Sequence, residues 1–467
     1  MTHYRRASRM PVPAARLYAW HAAPGAFQRL APPWEDIRDV RRVGGLEAGA
    51  ETRFVVRKGP LSLPWVARHD AHEEGRMFAD VQDQGPFASW RHVHRFEPAG
   101  DQESLLVDEV DYSAPLGPLG DLVGGPFLAA MVARMFAFRH ARTLADLTRH
   151  ARHAAAGPRR VLVSGSSGLI GRALVAFLQG GGHDVVRLVR RAPGAGEVQW
   201  DPARGVLDPA SLEGFDAVVH LAGEGIAEGR WTPARKDAIL RSRTEGTRLL
   251  AETLARVARK PEVLVSASAI GFYGDRGDQA LDESAAPGTG FLADVTRAWE
   301  AAAQPASDAG IRLVCLRTGI VLSPQGGALA QMLPPFQLGL GGPVGSGRQV
   351  MSWIALDDLV GAIHHAIFTP SLRGPVNGTA PAPVTSAEFG RTLGKVLGRP
   401  AVMPLPGVAV QALFGEMGAA LLLGGARVMP NALLASGFTF LCPTLEDALR
   451  YELGLLEPTA DAGAVAA

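Results

Sequence analysis

Cysteine is nearly absent: Cys315 and Cys442 are the only two in 467 residues, and they stand far apart. That argues against a disulfide framework and fits a reducing compartment, so a cytoplasmic location is expected. An excess of one charge is also lacking, because 47 basic residues face 46 acidic ones and the near-balance holds within the first 158 residues. Nucleic acid is therefore not an expected partner, since phosphate binding needs a concentrated basic surface. No basic start followed by an apolar core opens the chain, so secretion is not indicated. The most apolar stretch, residues 408–429, is broken by Gln411, Glu416 and several glycines. It reads as a buried helix pair rather than a membrane span.

The chain does have length. Single cores stop growing at about 250–300 residues, so two or three domains are expected. A helical pattern gives way to small residues and a Gly157-Pro158 stop, which marks a boundary. Before it, residues 51–57, 91–96 and 104–112 alternate with the period of half-buried antiparallel strands. Residues 127–150 then carry Leu128, Met131, Val132, Met135, Phe136, Thr143, Leu144 and Leu147 near helical spacing. With a short helix over residues 13–20, this is the pattern of an α+β helix-grip fold enclosing an apolar cavity. Nine of the thirteen histidines, His69, His72, His92 and His94 among them, fall in this part. His92 and His94 would share one face of a strand, which is one way to build a metal site, but with no thiolate nearby and no metal motif none is assigned. The segments Pro13-Ala-Ala-Arg-Leu-Tyr-Ala-Trp20, Leu30-Ala-Pro-Pro-Trp34, Gly85-Pro-Phe-Ala-Ser-Trp90 and Asp108-Glu-Val-Asp-Tyr112 resemble the START-like (SRPBCC) polyketide cyclase and lipid-transport family. The resemblance covers about 150 residues and implies an apolar ligand.

After the boundary, the apolar run at residues 160–164 leads into Gly165-Ser166-Ser167-Gly168-Leu169-Ile170-Gly171 and then a helical pattern. Strand, glycine turn and helix in that order are the context of a dinucleotide fingerprint. Gly165 permits the tight turn, Gly168 lets backbone approach a pyrophosphate, and Gly171 lets the helix pack closely on the sheet. The helix N-terminus offers free N–H groups to the phosphates. The next strand, residues 184–189, ends in Arg190 and Arg191, where an acid would bind a ribose 2′-hydroxyl and an arginine suits a 2′-phosphate. NADP(H) is therefore the expected cofactor. Residues 215–223, 263–268 and 312–317 supply further parallel strands, making an α/β doubly wound Rossmann domain.

Trp200-Asp-Pro202, His220-Leu-Ala-Gly-Glu224, Arg230-Trp-Thr-Pro-Ala-Arg235, Ser242-Arg243, Ser266-Ala-Ser-Ala-Ile-Gly-Phe-Tyr-Gly274, Trp299-Glu300, Arg317-Thr-Gly-Ile-Val-Leu322 and Ser352-Trp-Ile354 follow in order. Together they resemble the atypical, epimerase-like branch of the extended short-chain dehydrogenases, over roughly 300 residues that end in a small C-terminal domain. The implied division is 1–155 for the helix-grip domain, 159–400 for the Rossmann domain, 401–455 for a small C-terminal helical domain that forms the substrate region and 456–467 for a disordered tail. The resemblance places His220, Leu221, Ala222, Gly223, Ser266 and Arg317 beside the cofactor. It also implies a catalytic serine, at Ser268, and a Tyr-x-x-x-Lys on the following helix, in which the lysine lowers the phenol's pKa. Those last two positions are occupied by Phe291 and Val295. Tyr273, Asp275 and Glu224 are the alternative proton donors, with Tyr273 the nearest phenol. Residues 333–347 are too rich in Gly and Pro for a long helix and suggest a lid or substrate loop. The expected function is an NADP(H)-dependent oxidoreductase or epimerase acting on an unidentified carbonyl or hydroxyl substrate, a hydrophobic one if the helix-grip cavity delivers it. The alternative is a sensor or scaffold that binds NADPH without turnover.

Overall fold

The computed structural model describes residues 1–115 and 118–456, and the expected tail from residue 457 onward lies outside them. Two compact units emerge: one of Met1–Gly157 with Gln179–Gly182 and residues 453–456, the other of Pro158–Leu178 and His183–Glu452.

The first unit opens with β1 (Thr2–Met10), α1 (Ala14–Ala22) and α2 (Ala26–Leu30). Then follow β2 (Asp36–Val43), β3 (Glu51–Lys58), β4 (Leu61–Glu73), β5 (Met77–Gln84), β6 (Ser89–Pro98) and β7 (Ser104–Ser113), and α3 (Pro118–Arg152) closes it. All seven strands form one antiparallel sheet in the order β1-β7-β6-β5-β4-β3-β2. On β6, Trp90, His92, His94 and Phe96 are buried while Arg91, Arg95 and Glu97 are exposed, the two-residue period of a sheet with one covered face, broken only at Val93, which is buried in the outward register. The stripe Val132, Phe136, His140, Thr143, Leu147 on α3 has helical spacing and is buried throughout. Sheet and helices enclose a cavity of about 380 Å³ whose walls include Phe54, Trp65, Trp90, Met131 and Met135. This is the expected helix-grip arrangement, with α3 starting nine residues earlier than its periodicity indicates and taking Pro126 within it.

The second unit contains β8 (Arg160–Ser164), α4 (Leu169–Gly180), β9 (Asp184–Val189), β10 (Glu197–Gln199), β11 (Ala217–His220) and α5 (Pro233–Arg256). The chain continues through β12 (Val263–Ala269), β13 (Gly277–Leu281), α6 (Phe291–Asp308), β14 (Arg312–Thr318), β15 (Ile320–Leu322), α7 (Gly327–Gln337), β16 (Val350–Met351), β17 (Trp353–Ala355) and α8 (Leu356–Phe368). It ends with β18 (Gly374–Gly378), β19 (Val384–Thr385), α9 (Ser386–Leu397), α10 (Gly407–Gly418), β20 (Ala426–Val428), α11 (Asn431–Ala435) and α12 (Leu445–Glu452).

Its main sheet is parallel, in the order β10-β9-β8-β11-β12-β14-β18. Strand order runs outward in both directions from the β8–β11 pair, so the crevice at their carboxyl ends is the topological switch point where such sheets bind ligands. Every expected strand of this sheet is present, and β10 and β18 are additional. The apolar stretch 408–429 departs from the helix pair expected of it. It makes α10, kinked where Gly415 has φ 60°, then a short π turn, then β20, which pairs with β13. No helix among the described residues is long and apolar enough to cross a membrane. In the Gly/Pro-rich stretch, α7 carries Pro334 and Pro335 in its last turn and ends at Gln337, leaving the irregular segment to begin at Leu338.

Candidate dinucleotide and active site

The turn after β8 is built on two glycines that no larger residue could replace without displacing backbone. Gly165 has φ +66°, and a Cβ there would stand 2.7 Å from the Leu221 carbonyl carbon. At Gly171 the added carbon would meet Gly165 O at 2.2 Å, which is the close helix-on-turn packing expected of the third glycine. At Gly168 it would meet only Gly165 O, at 3.3 Å, and Ser167 and Gly168 are exposed. The open side of the turn is thus clear for a ligand to approach the amino end of α4.

Ser166 is buried, Leu169 and Ile170 are half-buried, and Leu221 N–H donates to Ser164 Oγ at 3.1 Å, tying the β11 exit to the end of β8. His220 lies between the same strands. Its Nδ1 is 2.7 Å from Ser164 Oγ, its Nε2 is 3.0 Å from Thr247 Oγ1, and Trp299 Nε1–H donates to the same threonine at 3.0 Å. Burial drives the pKa of His220 down to about 4, so a neutral ring braces the crevice from below. Ser266 is the register partner of His220 on β12 and is equally buried. Ala222 and Gly223 lead out of β11 toward Arg243, whose guanidinium carbon would be 3.6 Å from a Cβ at Gly223. Arg243 donates to Glu224 O and Ile239 O and lies over the Trp299 ring, and burial lowers its pKa to about 10.

The two arginines after β9 part company. Arg191 is bound bidentately by Glu197, at 2.7 and 2.6 Å, whereas Arg190 is exposed and no described residue pairs with it.

Ser268, at the carboxyl end of β12, donates to Glu300 Oε1 at 2.6 Å. Glu300 is gripped by Arg317, Nε to Oε1 and Nη2 to Oε2, each at 2.8 Å. Burial works against the Arg317 charge, but the hydrogen bonds and charge of Glu300 outweigh it and raise the guanidinium's pKa above its ordinary value. Arg317 also donates to Tyr273 OH at 3.0 Å and sits 3.4 Å over the Phe272 ring. Tyr273 OH in turn donates to Asn377 Oδ1 at 2.7 Å, and the tyrosine is fully buried. Burial raises its pKa, so this phenol is a poor proton donor as placed, with its hydroxyl held on both sides. Arg317 therefore reaches the site through Glu300. Asp275 Oδ1 accepts from the N–H groups of Gly277 and Gly425, and Glu224 pairs with Arg235 at 2.7 Å.

Phe291 and Val295 face an apolar cluster with Trp231, Ile239 and Met417. Neither a phenol nor an ammonium stands at these two positions. Glu300, Arg243 and Thr247 were given no role from the sequence. A signal for Glu300 existed: it is an acid among Ala293, Thr296, Trp299 and Ala303, the buried side of α6.

A sequence model of the NAD dependent epimerase/dehydratase family matches residues 161–375, a domain of unknown function (DUF1731) matches 405–452, and the polyketide cyclase/dehydrase and lipid transport family matches 10–138. An epimerase family protein of Mycobacterium tuberculosis is 48% identical over 292 residues, 62% of this chain and 96% of that protein. A nucleoside-diphosphate sugar epimerase from Corynebacterium glutamicum is similar over 97% of this chain and 90% of its own, with 36% identity and a TM-score of 0.78. The human epimerase family protein SDR39U1, solved with NADPH, matches 64% of this chain and 100% of its own at 39% identity and TM-score 0.59.

Proposed function

Because the chain belongs to the NAD dependent epimerase/dehydratase family, we propose that it is an NADP(H)-dependent oxidoreductase or epimerase whose proton is handled by Ser268 and Glu300. The observation that carries this reading is the Ser268 hydroxyl, placed at a strand end beside the switch-point crevice and bonded at 2.6 Å to a carboxylate. Gly165, Gly168 and Gly171 with the amino end of α4 hold the pyrophosphate, and Arg190 holds the 2′-phosphate. The human relative solved with NADPH supports the same choice of cofactor. When bound, NADP(H) supplies or accepts hydride at the substrate carbon.

The chain's own part is the proton. For alcohol oxidation, Ser268 Oγ takes the hydroxyl proton as its own proton passes to Glu300 Oε1. Carbonyl reduction runs the transfer in reverse from a protonated Glu300. Arg317 keeps the carboxylate aimed at Ser268 by its bidentate grip, which fixes its orientation. The pair thus stands in for a Tyr-x-x-x-Lys that Phe291 and Val295 cannot make. The substrate is a carbonyl or hydroxyl compound, and the cavity of the first unit holds an apolar ligand related to it. We take residues 1–155, 159–400 and 401–455 as the ligand, cofactor and substrate portions.

A second reading, an NADPH-binding sensor without turnover, is favoured by the burial of the Tyr273 phenol and the apolar setting of Phe291 and Val295. Native mass spectrometry of the purified full chain tests the cofactor half: NADP(H) is retained or taken up in preference to NAD(H). Preference for NAD(H), or uptake of neither, contradicts it. Glu300→Gln tests the chemical half, since the amide keeps a hydrogen bond to Ser268 but accepts no proton. Turnover falls about a hundredfold or more if the pair moves the proton. Unchanged turnover removes Glu300 from the reaction.

A further inference from the structure

In the first unit, three side chains at the cavity wall converge in a way the dinucleotide site does not use. His92 and His94 lie two residues apart on β6, both turned inward, and Asp80 on β5 is the direct cross-strand partner of His92. Each offers a ligand atom, and the three atoms lie within 4.8 Å of one another. All three residues line the cavity.

The hydrogen bonds around them fix which atoms are free. His92 Nε2 is 2.8 Å from Asp108 Oδ1, and His140 Nε2 is 2.7 Å from Asp108 Oδ2. His140 is held from its other side by Ser8 Oγ at 2.9 Å. Burial disfavours charge on His92 and His94. A neutral His92 that donates Nε2–H to Asp108 carries its lone pair on Nδ1. That nitrogen faces Asp80 Oδ2 at 3.5 Å. His94 Nδ1 is 2.7 Å from Asp108 Oδ1 but off hydrogen-bond geometry, and it is a buried nitrogen without a hydrogen-bond partner. One ligand atom from each of Asp80, His92 and His94 thus meets at one point of the cavity wall, with the His92 ring oriented there by Asp108.

We propose that Asp80, His92 and His94 form a divalent transition-metal site of the two-histidine, one-carboxylate type at the wall of the apolar cavity, with Asp108 as the outer carboxylate that orients His92. Three protein ligands leave coordination positions open, and those positions suit an oxygen atom of an otherwise apolar cavity ligand. The hydrogen bond from a metal-binding imidazole to a second carboxylate is the usual way such a ring is oriented and made more basic. The chemical class is Zn²⁺ or a late first-row divalent ion, since two imidazoles disfavour Mg²⁺ and Ca²⁺.

The test is calorimetric titration of the chelator-stripped full chain with Zn²⁺ near neutral pH, followed by X-ray absorption of the Zn²⁺-loaded protein. Wild type is expected to bind Zn²⁺ with two imidazole nitrogens and a carboxylate oxygen in the coordination shell. Asp80→Asn and His94→Gln should each weaken binding at least about a hundredfold, and Asp108→Asn about ten- to a hundredfold. NADPH binding to the same variants reports whether the second unit is intact, and circular dichroism reports folding of the first. A variant that fails to fold leaves the decision to the wild-type shell. No Zn²⁺ uptake by wild type, meaning that a proton fills the gap between His92 and Asp80, overturns the proposal. So does a shell without imidazole, or undiminished binding in folded Asp80→Asn and His94→Gln proteins.

Discussion

Replacing Arg190 by alanine separates the cofactor assignment from a general effect of charge. Arg190 follows the last residue of β9, is exposed, and has no described partner, while Arg191 beside it is bound by both oxygens of Glu197. The two positions carry the same charge at nearly the same place, so long-range attraction to a phosphate is similar for both. What differs is availability. A charge-assisted hydrogen bond to a 2′-phosphate is worth about 1.5–3 kcal/mol, or roughly one to two decades of affinity. Arg190→Ala should therefore weaken NADPH binding by about ten- to a hundredfold and leave NADH binding nearly unchanged. Arg191→Ala should cost NADPH affinity much less, because that guanidinium would first have to leave Glu197. Calorimetric titration of all three proteins with both cofactors at one fixed ionic strength decides the matter. Undiminished NADPH affinity in Arg190→Ala, or an equal loss for NADH, would refute the reasoning.

Gly165→Ala should destabilise the second unit and abolish NADPH binding: positive φ alone costs about 1–2 kcal/mol, and the new carbon also meets Leu221 at 2.7 Å. A thermal melt of the folded variant that matches wild type would contradict this. His220 is held near 4 by burial against 6.5 for an exposed ring, so between these values the unfolded chain binds a proton that the folded chain refuses. Its contribution to stability is full above about pH 6.5, is lost as pH falls, and levels off near pH 4, a change of about 3 kcal/mol. Denaturant melts across that window should show His220→Asn losing less stability than wild type, and parallel losses would assign the acid sensitivity elsewhere.

The framework of the second unit was legible because its signals are local. An apolar run, a glycine turn and a helical period occupy adjacent residues, and β8, α4 and β9 follow from them. The edge strands β10 and β18 were missed for a physical reason: three and five residues long, with Gly374, Pro375 and Gly378 in β18, they owe their conformation to pairing with β9 and β14 rather than to their own composition. The same holds for β20, which an apolar helical reading of residues 408–429 concealed. At the site, Ser268 was legible from its strand-end position, but its partner Glu300 lies 32 residues away on α6. Only the packing of α6 on β12 and β14 joins them. Tyr273 looked available because it is close to Ser268 in sequence, yet the fold turns it toward Asn377, 104 residues on. In the first unit, the shared face of His92 and His94 followed from strand period, whereas Asp80, Asp108 and His140 were brought to them by the register of β5, β6 and β7 and by α3.

The central claim is that the chain turns over NADP(H) with Ser268 and Glu300 moving the proton. The most direct measurement follows NADPH oxidation and NADP⁺ reduction by the full chain against a panel of carbonyl and hydroxyl compounds, with NADPH affinity determined on the same samples of wild type, Ser268→Ala and Glu300→Gln. Turnover of at least one compound by wild type is predicted, falling at least about tenfold in Ser268→Ala and further in Glu300→Gln, with NADPH affinity retained in both. Tight NADPH binding by wild type without turnover of any compound, or variants as active as wild type, would contradict it.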